Sequence, residues 1–144
     1  MSAEFATEEL RSFFQRFEER NAASDVEGLA RMFAPAILVA GPGGSQVVRS
    51  ADLLLAIPRR KQMFDAAGWH GTKLAGLREE RLDDRYTLAR AEWRFQFASH
   101  GETPTELTVP ATYIVDRSDG EPRIVVYLMH HDIAKVLKDR GLIG

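Results

Sequence analysis

Cysteine is absent from the 144 residues. Its absence excludes disulfides, thiolate nucleophiles and Cys-based metal sites, and it suits a reducing cytoplasm. No sign of charge is in excess: 19 Lys and Arg stand against 21 Asp and Glu, for a net charge of −2. That leaves no global field to draw nucleic acid or an anionic membrane. No apolar run approaches the ~20 residues needed to span a bilayer. The start, MSAEFATEEL, lacks the basic segment and apolar stretch of a signal peptide. Gly41-Pro42-Gly43-Gly44 lacks the Lys-Ser/Thr that completes a phosphate loop, and no serine nucleophile elbow occurs. Repeats, low-complexity stretches and linkers are also missing. The chain reads as a single cytoplasmic domain, residues 1–144. With 44% hydrophobic residues it can build a core without staples.

The pattern that is present places helices before a sheet. Thr7 caps a first helix, followed by acidic Glu8 and Glu9. Leu10, Phe13, Phe14 and Phe17 form its apolar stripe. Ser24-Asp25-Val26-Glu27 is a capping-box signature for a second helix, which Pro35 stops. Ala36 to Ala40 reads as a short strand, the glycine run as a loop, and Gln46 to Arg49 as another short strand. Ser50 opens a third helix that ends at Gly68, with Pro58 predicting a kink or break inside it. Alternation then marks long strands over Trp69–Leu82, Tyr86–Phe97, Glu106–Val115 and Arg123–Asp132. Asp83-Asp84, the stretch Gly101 to Thr105, and Ser118-Asp119-Gly120 connect them. Ile133 to Arg140 reads as a short amphipathic helix. A sheet that follows its helices curls over them and encloses a pocket.

The order of these elements carries a family resemblance. The segments FFQRFEERNAASDVEGLARMFAPAILVAGPGG, VVRSADLLLAI and YIVDRSDGEPRIVVYLMHHD resemble the nuclear transport factor 2-like superfamily, in its SnoaL-like branch. The resemblance covers nearly the whole chain. It implies an α+β, cone-shaped roll: three N-terminal helices packed in a strongly curved, mostly antiparallel sheet around a pocket, then a short C-terminal helix. It implies no one function, since relatives include isomerases, dehydratases, cyclases, epoxide hydrolases and binding modules. The steroid-isomerase base falls at Gly41, its tyrosine donor near Phe14 or Phe17, and its protonated aspartate near Thr112. None of these can do that chemistry as the family does, and Thr112 also weakens a cyclase reading.

Period-2 geometry puts Arg90, Glu92 and Arg94 on one face, and Trp93, Phe95 and Phe97 on the other, toward the core. The charged row can also dock a protein partner. The family register turns Val126 and Leu128 inward, so His130 follows them, and Thr112 and Ile114 join from the neighbouring strand. The expected lining is Phe14, Phe17, Leu38, Ala40, Trp69, Trp93, Phe95, Thr112, Ile114, Val126, Leu128 and His130. It suits a small hydrophobic or aromatic molecule, and no cofactor is called for. His130 can act as general acid or base with Asp132 to orient it, or can simply bond a backbone group at the rim. His70 is a further candidate for proton work, as in dehydratases, and His100 reads as solvated. Alternation splits His130 from His131, so no metal site is expected. Arg59-Arg60-Lys61 reads as a solvated helix face, with no nucleic-acid or membrane partner expected. The opposite face of the last two strands, Val109, Ala111, Tyr113, Val125, Tyr127 and Met129, is too apolar for water. It is the expected homodimer surface, unless the C-terminal helix covers it.

Three function classes follow from the sequence. One is a homodimeric binding domain without chemistry. Another is a cofactor-independent isomerase, dehydratase or cyclase that uses His130. The third is a protein-interaction module that docks a partner through the face of Arg90, Glu92 and Arg94 or through the kinked third helix.

Overall fold

The computed structural model describes residues 4–98, 104–118 and 120–144. Its elements are β1 (Glu4–Phe5), α1 (Glu8–Ala22), α2 (Val26–Ala30), β2 (Phe33–Gly41), β3 (Gly44–Arg49), α3 (Ser50–Ala66), β4 (Trp69–Arg81), β5 (Tyr86–Phe97), β6 (Thr105–Asp116), β7 (Arg123–Met129) and α4 (Ile133–Asp139). This is an α+β fold. One sheet takes the order β1-β4-β5-β6-β7-β2-β3. Its pairings are antiparallel except β2 with β7, which is parallel. Among the described residues no helix is long and apolar enough to cross a membrane.

Local chemistry sets the helix ends. The Thr7 hydroxyl accepts from the Leu10 N–H at 3.3 Å and donates to the Glu79 carboxylate at 2.8 Å. Thr7 thus caps α1 and also ties it to β4. Asp25, one residue later than the sequence pattern suggests, caps α2 by accepting from Gly28 N–H at 2.9 Å. At α3 the cap is Arg49 rather than Ser50, and Asp52 accepts from its N–H at 3.0 Å. Pro58 does not break α3, which runs through it as one helix. The lost backbone bond is a local cost that the flanking turns carry, with Leu53 and Phe64 anchoring the helix on either side. At the β4–β5 turn Asp83 accepts from the Arg85 and Tyr86 N–H groups. Residues 99–103 and Asp119, with the connections they make and with His100, lie outside the described residues.

The α1 stripe packs on the inner face of the sheet. Phe13, Phe14 and Phe17 are all buried, and Phe14 meets Trp93 at 6.4 Å and Tyr113 at 4.8 Å between ring centroids. Phe64 from α3 meets Phe95 at 5.2 Å and Phe97 at 5.9 Å. These aromatics fill the space between helices and sheet, where the sequence leads one to expect a pocket. α4 also belongs to the inner side: Leu137 is fully buried, and Ile133 and Val136 pack on the core.

Register decides the remaining faces. β5 opposes β6 with Ala89 on Tyr113 and Ala91 on Ala111, so the inner row of β6 is Leu107, Val109, Ala111, Tyr113 and Val115. In β7, Ile124 opposes Val115 and Val126 opposes Ile114. Val125 is the extra residue of a β-bulge between them. Ile124 therefore points in, Val126 and Leu128 point out, and Tyr127 and Met129 point in again. This reverses the assignment of Thr112, Ile114, Val126 and Leu128 to the lining and of Ala111, Tyr113, Tyr127 and Met129 to the outside. The bulge breaks the alternation from Ile124 to Leu128 on which the sequence reading of β7 relied.

The core makes two opposite mutational expectations. Phe14→Ala removes a side chain with no exposed surface, so urea denaturation should show a loss of about 3–5 kcal/mol. The Thr87 hydroxyl is buried without a hydrogen-bond partner, so Thr87→Val should raise stability by about 1 kcal/mol in the same assay.

Candidate functional site

The inward turn of Tyr127 and Met129 builds a recess at the open end of the sheet. β5 supplies Trp93 and Phe95, α3 supplies Arg60, and His131 and Ile133 close it from the segment after β7. The recess itself is small, about 20 Å³. It adjoins a cleft of about 400 Å³ along the β2–β3 hairpin, walled by Val39, Ala40, Gly41 and Gln46. Met129, His131 and Ile133 line both, so the cleft and the aromatic recess are neighbours across these three residues, and together they are called the mouth.

A polar relay runs through the aromatic recess. The Trp93 indole N–H donates to the Tyr113 hydroxyl at 2.9 Å. The Tyr113 and Tyr127 rings lie 4.8 Å apart, and the Arg60 guanidinium reaches the Tyr127 hydroxyl at 3.5 Å, the outer limit of a hydrogen bond. Burial pushes the Tyr113 hydroxyl well above the usual tyrosine pKa, with the Tyr127 hydroxyl beside it acting in the same direction. Arg60 also sits 4.9 Å over the Phe64 ring, which holds its side chain beside the recess.

A second depression, of about 1000 Å³, lies on the opposite face of the sheet. Its floor is Leu88, Pro110, Thr112 and Leu128, with Arg78, Arg90 and Glu92 around it and Arg11 of α1 at one side. This groove is where several sequence-predicted residues go.

The structure divides the expected lining in two. Phe14, Phe17, Trp93 and Phe95 are inside, as core rather than as the wall of an open hollow. Leu38, Ala40, Thr112, Ile114, Val126, Leu128 and His130 share the outer face, following the pairs Leu38 with Val126, Ala40 with Leu128 and Thr112 with Leu128. Ala40 also reaches the rim of the mouth cleft. Trp69 is half-buried at the edge, its N–H bonded to Thr72 Oγ1 at 2.8 Å and its ring under the Lys61 ammonium at 4.7 Å. His70 is exposed on β4.

His130 and Asp132 do not form a dyad. The exposed His130 ring meets the Thr112 hydroxyl at 2.7 Å, while Asp132 caps α4 by accepting from Lys135 N–H at 3.2 Å. The physical reason is that β7 ends at Met129, so strand alternation no longer holds the two residues on one face. Among the described residues no group of three or more His, Asp or Glu could hold a metal ion.

Of the residues at the mouth, Arg60, His131, Tyr127 and Met129 had been read otherwise from the sequence. The row of Val109, Ala111, Tyr113 and Val115, expected from the sequence on the outer face, held the missing signal. A row too apolar for water next to an inward Trp93 row belongs to the same core.

The pattern of the family described as NTF2-like protein (DUF6841) matches residues 3–132. The chain belongs to this NTF2-like family. Solved structures agree on the fold. Aln2 from a Streptomyces species is similar at 17% identity and a TM-score of 0.73, over 92% of this chain and 98% of that one. An NTF2-like protein with a cystatin-like fold from Novosphingobium aromaticivorans shares 17% identity at a TM-score of 0.71, over 90% of this chain and 86% of that one. A protein from Catenulispora acidiphila, in complex with S-DNPA, shares 14% identity at a TM-score of 0.68, over 89% and 94%. No curated protein matches the sequence. At these identities the likeness speaks for the NTF2-like fold alone.

Tyr113 gives this NTF2-like core a spectroscopic handle. Its raised pKa means that the folded state holds the proton where the unfolded chain gives it up. The stability from this group is present below the unfolded pKa of about 10 and is lost as pH rises above it toward the folded value. In an alkaline titration followed at the tyrosinate absorbance, one tyrosine should ionise only together with unfolding. That late step should be missing from Tyr113→Phe.

Proposed function

We propose that this NTF2-like chain is a binding domain that takes a small apolar or aromatic molecule at the mouth and works as a pair of identical chains. The observation that carries the ligand reading is the 400 Å³ cleft, which borders the aromatic recess at Trp93 and Tyr127 across Met129, His131 and Ile133. A cleft of that volume is within the usual range of ligand sites, ~300–1,000 Å³. Its walls are mostly apolar or glycine, with Ser45, Gln46, His131 and Asp132 as polar handles, and Arg60 and Tyr127 belong to the adjoining recess. Met129 is unbranched and adapts to an entering ring. The Catenulispora protein, bound to S-DNPA, supports the idea that this fold can hold a small molecule.

Pairing is argued from the outer sheet face. Ile114, Val126, Leu38 and Val47 follow one another across four strands in a single row. Leu38 is 40% exposed and Val47 67%. Such a row is a poor surface to leave in water, and a second copy related by a two-fold axis would cover it with its own equivalent. This replaces the surface centred on Tyr113 and Tyr127, whose side chains are committed to the core.

One observation favours a second reading. Tyr127 and His131 face the same recess beside Arg60, which is a set able to move a proton and steady a developing oxyanion. An isomerase, dehydratase or cyclase would be centred there and not on His130.

The binding reading is tested with Ile133→Trp, which fills the mouth. Calorimetric titration with the neutral probe 2-naphthol should show binding to the wild type and none to the variant. Equal binding by both proteins would end the assignment of the mouth. Tyr127→Phe and His131→Ala should leave probe binding within a few-fold. If a substrate screen finds turnover that both variants lose, the enzyme reading takes over. For the pair, Val126→Glu should convert a sedimenting dimer into a folded monomer, and a wild type that sediments as a monomer would end the pairing proposal.

A further inference from the structure

The outer groove holds more positive charge than the chain as a whole can explain. Arg78 on β4 and Arg90 on β5 are direct partners across the antiparallel ladder. Side chains so placed have their Cβ atoms ~4.5–5.5 Å apart, and like charges there repel. Arg11 lines the same groove from α1. None of the three makes an ion pair among the described residues. Arg94, on the same face of the same strand, shows the contrast: Glu106 stands 3.3 Å from it. Against Arg11, Arg78 and Arg90 the groove sets a single carboxylate, Glu92, in a chain whose net charge is −2. The floor between them is apolar, made by Leu88, Pro110 and Leu128, and the one hydroxyl in it, Thr112, bonds to His130.

We propose that this groove binds a small organic anion, a carboxylate or phosphate ester carried on an apolar body. The negative oxygens would lie between Arg78 and Arg90, where the anion relieves the repulsion of the opposed pair and the guanidinium on each side offers forked donors. Arg11 lines the groove at its α1 side and adds to the positive charge there. The apolar body would lie over Leu88, Pro110 and Leu128. Glu92, the next outward residue along β5 from Arg90, keeps a second anion from that end and suits a hydroxyl or ammonium instead. The groove begins at Leu88, beside the end of the apolar row. It shares no lining residue with the cleft of the mouth and only Pro110 with the recess, so the site is separate and does not need a ligand there.

The test is calorimetric titration of the full chain with benzoate, phenyl phosphate and the neutral benzyl alcohol. Both anions should bind, with benzyl alcohol roughly tenfold weaker or worse. The relative strength of benzoate and phenyl phosphate tells which anion the site prefers. The double variant Arg78→Gln/Arg90→Gln should lose roughly tenfold or more in anion affinity, while Ile133→Trp should leave it unchanged. Benzyl alcohol binding as tightly as benzoate, anion binding that survives the double arginine variant, or no anion binding at millimolar concentration would each overturn the proposal. Anion binding lost in Ile133→Trp alone would also overturn it, by moving the site to the mouth. Failure of 2-naphthol to bind at the mouth bears on the other proposal and leaves this one standing.

Discussion

The pairing of β5 with β6 governs the rest of this molecule. Once Ala89 faces Tyr113 and Ala91 faces Ala111, the inner row of β6 joins Trp93 and the α1 phenylalanines in one aromatic core. A shift of one residue would send Tyr113 into water and Thr112 against Phe14, since side chains alternate strictly along a strand. The indole of Trp93 reinforces the choice by donating to the Tyr113 hydroxyl at 2.9 Å. A buried hydroxyl needs such a partner, so the hydrogen bond and the apolar packing select the same register.

That register has two consequences for ligands. It fills the space beneath the helices and leaves the mouth open, where β7 ends and the chain turns into α4. It also commits Thr112, Leu128 and Arg90 to the far side of the sheet, where they form a groove with Arg78. The bulge at Val125 matters to both, because it places Tyr127 and Met129 at the mouth and Leu128 in the groove. A single inserted residue thus divides one strand between two depressions with different chemistry, one aromatic and one cationic.

The Arg78–Arg90 pair is the clearest departure from economy in the sheet. Three other arginines on or beside the sheet do have a carboxylate: Arg85 has Asp116, Arg117 has Glu9 and Arg94 has Glu106. Two arginines opposed on neighbouring strands, neither of them in an ion pair among the described residues, are an arrangement that the fold does not need. The strands would pair as well with neutral residues there, so the charges read as kept for something outside the chain.

Composition and periodicity by themselves determined the helix stripe of Leu10, Phe13, Phe14 and Phe17, the long strands, and the direction of Trp93 and Arg94 on β5. Each rests on a local repeat, and a local repeat is legible without knowing any partner. The family pattern set the order of elements and hence the fold. Only the tertiary structure decided the faces of β6 and β7, the filling of the expected hollow, the parting of His130 from Asp132 and the meeting of Arg78 with Arg90. A bulge carries no sequence mark of its own, and the register of a strand is set by its neighbour across the ladder. Those features belong to pairs of segments far apart in the chain, and one segment read alone does not contain them.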